Sequence, residues 1–272
     1  MKVKESIKAY HAKPGLTKTK LFRLIEKNPE YYKYCEEHPE LNAETPAQLF
    51  GAAFHKYVLE PEEFSAEYAV MPNVDRRTKA GREEYAAFAA RAGERGIITD
   101  SDYFEICRMS EKLKSIPVVK YLLTGEVETS YYFRDELTGL ELQARPDVFR
   151  MVGDHGVVVD LKTCRDASND EFRKAAINLG YDVQAAIFLD AMKAEYGIEC
   201  DFIFVAIEKD PPYMVNVLSA DEYLVKYGRE RLREALSIYK ECETTGIWWG
   251  YNGEKMLINN LILPNYLAKE IQ

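Results

Sequence analysis

The sequence lacks a long hydrophobic run. Its 272 residues contain no apolar stretch near the roughly 20 residues that a membrane-spanning helix needs. The N-terminus carries charges where a secretory signal peptide has its apolar region. A hydrophobic content of 47% with 30% charged residues is typical of a globular protein in water. We therefore expect a cytoplasmic protein.

Cysteine is sparse and unpaired in sequence. The five cysteines are odd in number, scattered, and never spaced as C-x-x-C; they are Cys35, Cys107, Cys164, Cys200 and Cys242. This pattern fits a reducing compartment and argues against a disulfide framework. It also argues against a zinc or iron–sulfur centre held by cysteines.

Positive charge is scarce, since the chain has 36 Lys and Arg against 45 Asp and Glu, a net charge of −9. A nucleic-acid partner would therefore require cationic side chains concentrated in one place. Two stretches have a local excess. The first 30 residues hold eight basic and three acidic residues, and a second cluster comprises Arg76, Arg77, Lys79 and Arg82. Each stretch is either a solvated face or a phosphate contact.

One stretch predicts a polar site on a β-hairpin. Two β-rich runs, residues 147–152 and 157–162, flank the break at residues 153–156. If Val152 pairs with Val157, Asp147 lies opposite Lys162, and Asp160 shares their face. Neighbours on one face lie roughly 5 to 8 Å apart, so two carboxylates can share a divalent cation.

The residues around this site favour a functional role. Leu161 points to the opposite face, which leaves its carbonyl as a possible further oxygen ligand. The alternative is the polar outer face of a half-buried hairpin. The continuous apolar run at residues 157–159 instead predicts a strand covered on both faces, where acids and a lysine are costly to bury without a task.

The hairpin resembles the active site of the PD-(D/E)xK nuclease superfamily. Asp147 followed by Asp160-Leu161-Lys162 carries the short motif. The longer strings Arg-Pro-Asp-Val, Asp-Leu-Lys-Thr and Gly-Tyr-Asp-Val-Gln-Ala-Ala, the last at residues 180–186, are similar to RecE-type exonucleases, the exodeoxyribonuclease VIII nuclease domain. The resemblance covers residues 16–246. It implies an α/β restriction-endonuclease-like core, with a central mixed β-sheet flanked by helices.

The resemblance also implies how the chain is organised. We expect a single nuclease domain over residues 1–272, because no repeat, low-complexity segment or linker is evident. Residues 1–125 would be a mainly helical N-terminal portion carrying His55. Residues 126–250 would form the catalytic sheet and its flanking helices.

Further site residues are assigned by the resemblance. His55 follows Gly51 in the Gly-x-x-x-His pattern that supplies a metal-binding histidine in RecE-like and RecB-like nucleases. Apart from this resemblance, a lone histidine on a helix is more often a hydrogen-bonded core or surface residue. Tyr181 and Gln184 share a helix face and match positions beside the metal site, although they also read as a core tyrosine and a solvated amide. Glu128 either joins the site or is an exposed strand acid.

The implied activity is metal-dependent hydrolysis of DNA. Mg²⁺, with Mn²⁺ as a substitute, would be held by His55, Asp147, Asp160 and the Leu161 carbonyl, with Asp147, Asp160 and Lys162 catalytic. The family resects linear double-stranded DNA processively, 5′ to 3′, as a toroidal homotetramer. It leaves 3′ single strands for a RecT-like annealing protein in a bacterial or phage setting. The alternatives are a structure-specific or repair endonuclease and a non-catalytic DNA-binding module.

The remaining pattern predicts secondary structure. We expect helices over residues 17–28, 45–59, 78–95, 100–115, 181–196 and 219–246, the second opened by a capping box at Thr45-Pro46-Ala47-Gln48. A second capping box at residues 168–171 predicts another helix. A three-stranded meander is expected over residues 126–162, with further strands at 66–71, 200–208 and 213–218. Residues 29–42 are expected to be a helical turn and loop, and Trp248-Trp249 to stack on bases or to pack.

Overall fold

The computed structural model describes residues 1–253, 258 and 260–263. The N-terminal half contains most of the helices and three short strands. In chain order its elements are β1 (Lys2–Val3), α1 (Ile7–His11), α2 (Lys18–Glu26), α3 (Pro29–Glu37), α4 (Pro46–Leu59), α5 (Phe64–Glu67), β2 (Tyr68–Met71), α6 (Lys79–Ala92), β3 (Gly96–Thr99), α7 (Asp100–Lys114) and α8 (Pro117–Leu122).

The second half contains the longer strands. Its elements are β4 (Glu126–Val127), β5 (Ser130–Arg134), β6 (Glu141–Ala144), β7 (Val148–Val152), β8 (His155–Cys164), α9 (Asn169–Asn178), α10 (Tyr181–Tyr196), β9 (Cys200–Glu208), β10 (Val215–Ser219) and α11 (Glu222–Thr245). The predicted strand at residues 200–208 is confirmed with the same bounds.

A five-stranded mixed sheet forms the centre of the fold, in the order β10-β9-β8-β7-β4. Strands β8 and β9 are parallel, because α9 and α10 carry the chain back to the starting edge; the other pairs are antiparallel. A three-stranded antiparallel sheet, β1-β5-β6, and a parallel pair, β2-β3, lie apart from it. The predicted α/β class with a central mixed sheet is confirmed.

Strand β8 is covered on both faces. Val157, Val159 and Leu161 pack into one core with residues of α4, α7 and α8. Val158, on the opposite face, joins a second core with α2, α10 and α11. All four side chains are buried, as the continuous apolar run predicted. Asp160 and Lys162 share the face of Val158 because side chains alternate along a strand.

The predicted three-stranded meander is wrong, because its strands belong to two sheets: β4, β7 and β8 to one, and β5 and β6 to the other. Glu128 adopts a φ of 45°, which turns the chain between sheets. Strand β4 before it joins the five-stranded sheet, and β5 after it joins the three-stranded sheet. The Lys4 amine secures this break by donating 2.8 Å to the Val127 carbonyl.

The hairpin register also differs from the prediction. Val152 pairs with His155 and Val148 with Val159, so the loop contains only Gly153 and Asp154. Gly153 has a φ of 63°, which suits a tight turn and which a larger residue rarely adopts. The shift is two residues, so the continued register places Asp147 opposite Asp160, not opposite Lys162. A shift of two preserves the face of every side chain.

Several local predictions were correct and others were not. The Thr45 capping box forms with both of its hydrogen bonds. The predicted Ser168 capping box does not form: the Ser168 side chain makes no capping bond, and the Ser168 backbone N–H donates to the Asp166 carboxylate at 2.8 Å, not to Glu171. Helix α11 starts later than predicted, capped by Asp221. Strand β3 was not predicted.

Residues 29–37 pack against the segment that follows α11. Residues 29–37 form α3, capped by Asn28, where a turn and loop were expected. Trp248 stacks on Tyr32 with ring centroids 5.3 Å apart, so it packs within the chain. Most of the tail after Asn252 lies outside the described residues. Within the part of the chain that the structure describes, no helix has the length and apolar character to cross a membrane.

Gly228→Ala is expected to destabilise the fold although alanine favours helices. A Cβ at Gly228, within α11, would lie 2.1 Å from the backbone oxygen of Asp182 on α10, so the two helices would have to separate. Overpacking of this kind costs about 2 kcal/mol, more than the helix propensity gained. Urea unfolding should show the loss. Glu230→Ala, at an exposed position of α11, is the control, and equal stability of the two variants would contradict the packing argument.

Candidate active site

Two carboxylates meet where β7 and β8 pair. Asp147 lies in the bend before β7, and its Oδ2 accepts the Leu161 backbone N–H at 2.6 Å. Asp160 is fully buried; its Oδ1 accepts a hydrogen bond from Gln184 Nε2 at 2.9 Å, and its Oδ2 lies 2.5 Å from Lys162 Nζ. Lys162 is therefore the ion-pair partner of Oδ2.

His55 reaches this pair from α4. Its Nδ1 lies 3.4 Å from Asp147 Oδ1. Gly51, the glycine of the Gly-x-x-x-His pattern, lies one turn earlier on α4. A Cβ there would meet Thr163 Oγ1 at an ordinary 3.9 Å, so no neighbour requires glycine at this position. The helix nevertheless faces the end of β8, where the predicted site residues lie.

Glu128 belongs to the same cluster. At the break between β4 and β5, its backbone N–H donates to the Asp147 carbonyl at 3.0 Å. Ligand atoms of His55, Glu128 and Asp147 lie within 4.8 Å of one another. Of the two readings of Glu128, the structure therefore favours the one that brings it into the site.

Arg145 holds Glu128 in place and was not predicted. Its Nε donates to Glu128 Oε2 at 2.7 Å, and its Nη1 donates to Ser130 Oγ at 2.9 Å. The arginine is buried, so the pair is largely shielded from water. The one sequence signal was its place in Arg145-Pro146-Asp147, two residues before a predicted ligand.

Burial and charge set the protonation of the two aspartates. Burial, reinforced by the neighbouring Asp147, raises the pKa of Asp160 to about 6, although Lys162 acts against this. Burial also tends to raise the pKa of Asp147. For that group His55, Lys162 and the Leu161 N–H outweigh burial, and its pKa is lowered.

Burial and neighbouring charges also shift the pKa values of Lys162, His55 and Glu128. Burial tends to lower the pKa of Lys162 and of His55, but the adjacent carboxylates outweigh it and raise both. Burial, with Asp147 beside it, raises the pKa of Glu128. Lys162 is therefore an ammonium ion at neutral pH.

Tyr181 and Gln184 both lie beside the carboxylates, on the first turns of α10. Gln184 bonds to Asp160, and the Tyr181 ring centroid lies 4.9 Å from Lys162 Nζ. The Leu161 side chain is buried in the core as expected, and its backbone N–H, not its carbonyl, makes the observed contact with Asp147. Metal ligation by that carbonyl stays a prediction.

The basic cluster on α6 and the loop before it is exposed. Its members contact their own neighbours: Arg76 stacks on Tyr85 at 3.9 Å, Arg77 pairs with Asp75 at 3.0 Å, Lys79 lies 3.8 Å from Glu83, and Arg82 donates to the Arg77 carbonyl at 2.9 Å. Contact of these residues with phosphates stays a prediction.

The donor set fits a hard divalent cation. Carboxylate oxygens and one imidazole nitrogen converge without any thiolate, and oxygen-rich ligands favour Mg²⁺ or Mn²⁺. Asp160, a predicted ligand, is not among the three residues whose ligand atoms converge, and its buried Oδ2 lies beside the Lys162 ammonium. A group of this composition can hold a divalent metal ion.

Comparison with known families shows which family the chain belongs to. The model of the PDDEXK-like domain of unknown function (DUF3799) matches residues 20–259. The chain belongs to this PDDEXK-like family. The predicted superfamily and its fold are thereby confirmed. No curated protein matches the sequence.

A solved structure shares the fold of this PDDEXK-like protein. A "Putative exonuclease" from Eubacterium rectale matches with a TM-score of 0.66 and 11% identity, covering 96% of this chain and 97% of that one. At this identity the match shows the fold alone. An alkaline exonuclease from Laribacter hongkongensis matches with a TM-score of 0.26 and 18% identity, covering 74% of this chain and 96% of that one, which is too low to support a comparison.

Asp160→Asn is expected to reduce the pH dependence of stability in metal-free protein. The pKa of Asp160 in the folded protein is raised from 3.8 to about 6. The contribution of this carboxyl group to the stability of the fold is therefore fully present below pH 4 and is lost as the pH rises through 6. The free energy of unfolding of the variant, relative to that of wild type, should therefore rise by about 2 kcal/mol between pH 4 and pH 7.5. Urea unfolding in chelator measures it, and a pH-independent difference would contradict the argument.

Arg145→Met is expected to destabilise the metal-free protein by about 3 kcal/mol, because it leaves the buried Glu128 carboxylate without its partner. It should also weaken the rise in melting temperature caused by added Mg²⁺, since Glu128 would lose its position. Arg134→Met is the matched control, because that arginine pairs with Glu141 on the surface and should contribute at most about 1 kcal/mol. Equal effects of the two substitutions would exclude a special role for Arg145.

Proposed function

We propose that this protein is a metal-dependent exodeoxyribonuclease that hydrolyses phosphodiester bonds of linear double-stranded DNA. The observation that carries the proposal is the convergence of Asp147, Asp160 and Lys162 on one buried face, with His55 and Glu128 beside them. Burial of neighbouring carboxylates is costly, and a bound cation would offset part of that cost. The PDDEXK-like family membership supports the same conclusion.

Each side chain has a definite task in this proposal. His55, Glu128, Asp147 and Asp160 hold the ion, and the Leu161 carbonyl is a further oxygen ligand. When bound, Mg²⁺ or Mn²⁺ supplies a Lewis acid for the scissile phosphate and favours ionisation of a water molecule.

The remaining residues of the site orient groups and supply charge. The Gln184 amide holds Asp160 through Oδ1, and the Lys162 ammonium lies beside Oδ2. The Lys162 ammonium stands beside Asp160, where it can neutralise negative charge that develops on the phosphate oxygens. Tyr181 packs against that ammonium and restricts its position.

The polarity and partners in the proposal come from the resemblance to RecE-type enzymes. We infer processive 5′-to-3′ resection that leaves a 3′ strand for a RecT-like annealing protein. A toroidal homotetramer would enclose the product strand and so account for processivity. The acidic net charge of −9 fits a surface that repels DNA outside the intended groove.

Lys162→Met and Asp160→Asn are each expected to lower Mg²⁺-dependent nucleotide release from linear duplex DNA at least about 100-fold, because each removes a charge that acts on the reacting phosphate. Lys174→Met, which removes an exposed lysine paired with Glu171 on α9, is the matched control and should keep full activity. Melting temperatures confirm that the variants are folded. Full activity of the Lys162 variant would contradict the assignment.

End-labelled substrates test the direction and the need for an end. Duplexes labelled at either end, with and without a 5′ phosphate, should release the 5′ label first as a mononucleotide. Closed circular DNA should remain intact. Nicking of the circle would instead indicate an endonuclease. Binding without hydrolysis by the folded wild type would indicate a non-catalytic module.

A further inference from the structure

Lys18 is a second lysine next to the active site, and neither the motif nor the proposed metal centre uses it. It is the first residue of α2, and its side chain is half-buried. Its amine lies 5.7 Å from the centroid of the Tyr181 ring and 5.1 Å from that of Phe22. Tyr181 is also the ring that Lys162 contacts, at 4.9 Å. The amines of both lysines therefore lie near the same aromatic ring, that of Tyr181.

The amine of Lys18 lacks a counter-ion. Its hydrogen-bond acceptor is the Leu179 backbone carbonyl at the end of α9, and among the described residues no carboxylate lies within ion-pair distance. The closest acids already have partners, since Asp160 pairs with Lys162 and Asp182 with Arg231. Burial, and then the positive charge of Lys162, lower the pKa of Lys18 to about 8.

An ammonium group in this position is stabilised by an incoming anion. In an acidic protein most lysines pair with carboxylates, and a half-buried lysine without such a pair costs folding free energy. An anion that lies beside both Lys18 and Lys162 would relieve burial and mutual repulsion together. A nucleic-acid strand carries such anions at regular spacing along its backbone.

We propose that Lys18 binds an internal phosphodiester of the substrate strand, the one adjacent to the bond that is cut. This deepens the proposed function and rests on it. Lys162, on β8, acts at the scissile phosphate. Lys18, on α2, binds the next phosphate of the same strand. This second contact fixes which phosphodiester lies over the metal ligands. Lys18 is therefore a substrate-binding residue that the short motif does not contain.

Lys18→Met tests the proposal, because methionine keeps the apolar contacts with Phe22 and Tyr181 and removes the charge. We expect KM for a short duplex to rise about tenfold, the value of one charge-assisted contact, with kcat changed less than about threefold. Binding measured by fluorescence anisotropy, with Ca²⁺ replacing Mg²⁺, should weaken to the same extent. The slope of log affinity against log salt should decrease in magnitude by about one.

Lys27→Met is the matched control. It removes an exposed lysine from the other end of α2, 3.9 Å from Glu26, and lowers the net charge equally. Lys18→Arg should restore most of the binding, because it returns the charge. If Lys18→Met proves unstable, Lys18→Gln retains a donor for the Leu179 carbonyl. Equal binding by the Lys18 and Lys27 variants would overturn the proposal.

A neutral linkage in the DNA identifies the phosphate. Methylphosphonate is placed at one linkage at a time. Wild type should lose about tenfold in binding at the linkage next to the scissile bond, and Lys18→Met should lose almost nothing there, since the interaction is already absent. Equal losses by both proteins at every linkage would refute the contact. If wild type hydrolyses DNA but the neutral linkage affects it no more than it affects Lys18→Met, this inference alone fails. If wild type does not hydrolyse DNA, the proposed function fails.

Discussion

The structure around the site depends on the burial of two carboxylates side by side on one sheet face. Asp160 is fully buried and Asp147 nearly so. Transfer of an ionised carboxylate from water to a protein interior is unfavourable unless hydrogen bonds and opposite charges replace the water. The nearby polar contacts supply these: the Leu161 N–H and His55 for Asp147, and Gln184 and Lys162 for Asp160.

The third acid of the cluster requires contributions from distant parts of the chain. Glu128 is placed by a left-handed backbone conformation, which is unfavourable for a residue with a side chain. The Asp147 carbonyl, the Arg145 guanidinium and the Lys4 amine together hold that turn. Residues near the N-terminus and in the sheet therefore fix one ligand, while α4 supplies His55. The hairpin contains the motif but only part of the site.

The sequence predicted what depends on local periodicity and missed what depends on tertiary contacts. A two-residue register error left Asp147, Asp160 and Lys162 on one face, because side-chain direction repeats every two residues. The break at Glu128 gave no signal, since neither glycine nor asparagine marks it. The parallel pairing of β2 with β3 and the capping of α9 were decided by neighbours that local patterns do not show. Arg145 and Lys18 were missed for the same reason, as their roles come from residues far along the chain.

The distribution of charge explains how an acidic protein can accept a polyanion. Arg145 and Lys162 are neutralised by Glu128 and Asp160, and the exposed Arg77 and Lys79 lie beside acids of their own. Pairing of this kind leaves little attraction for DNA over the general surface. A divalent cation among the carboxylates would change the local net charge, because its two positive charges would neutralise acids that now pair with Lys162. Lys162 would then be free to face a phosphate, and Lys18, which has no carboxylate partner among the described residues, would stand beside it. Substrate affinity would thus be confined to the place where the metal is bound.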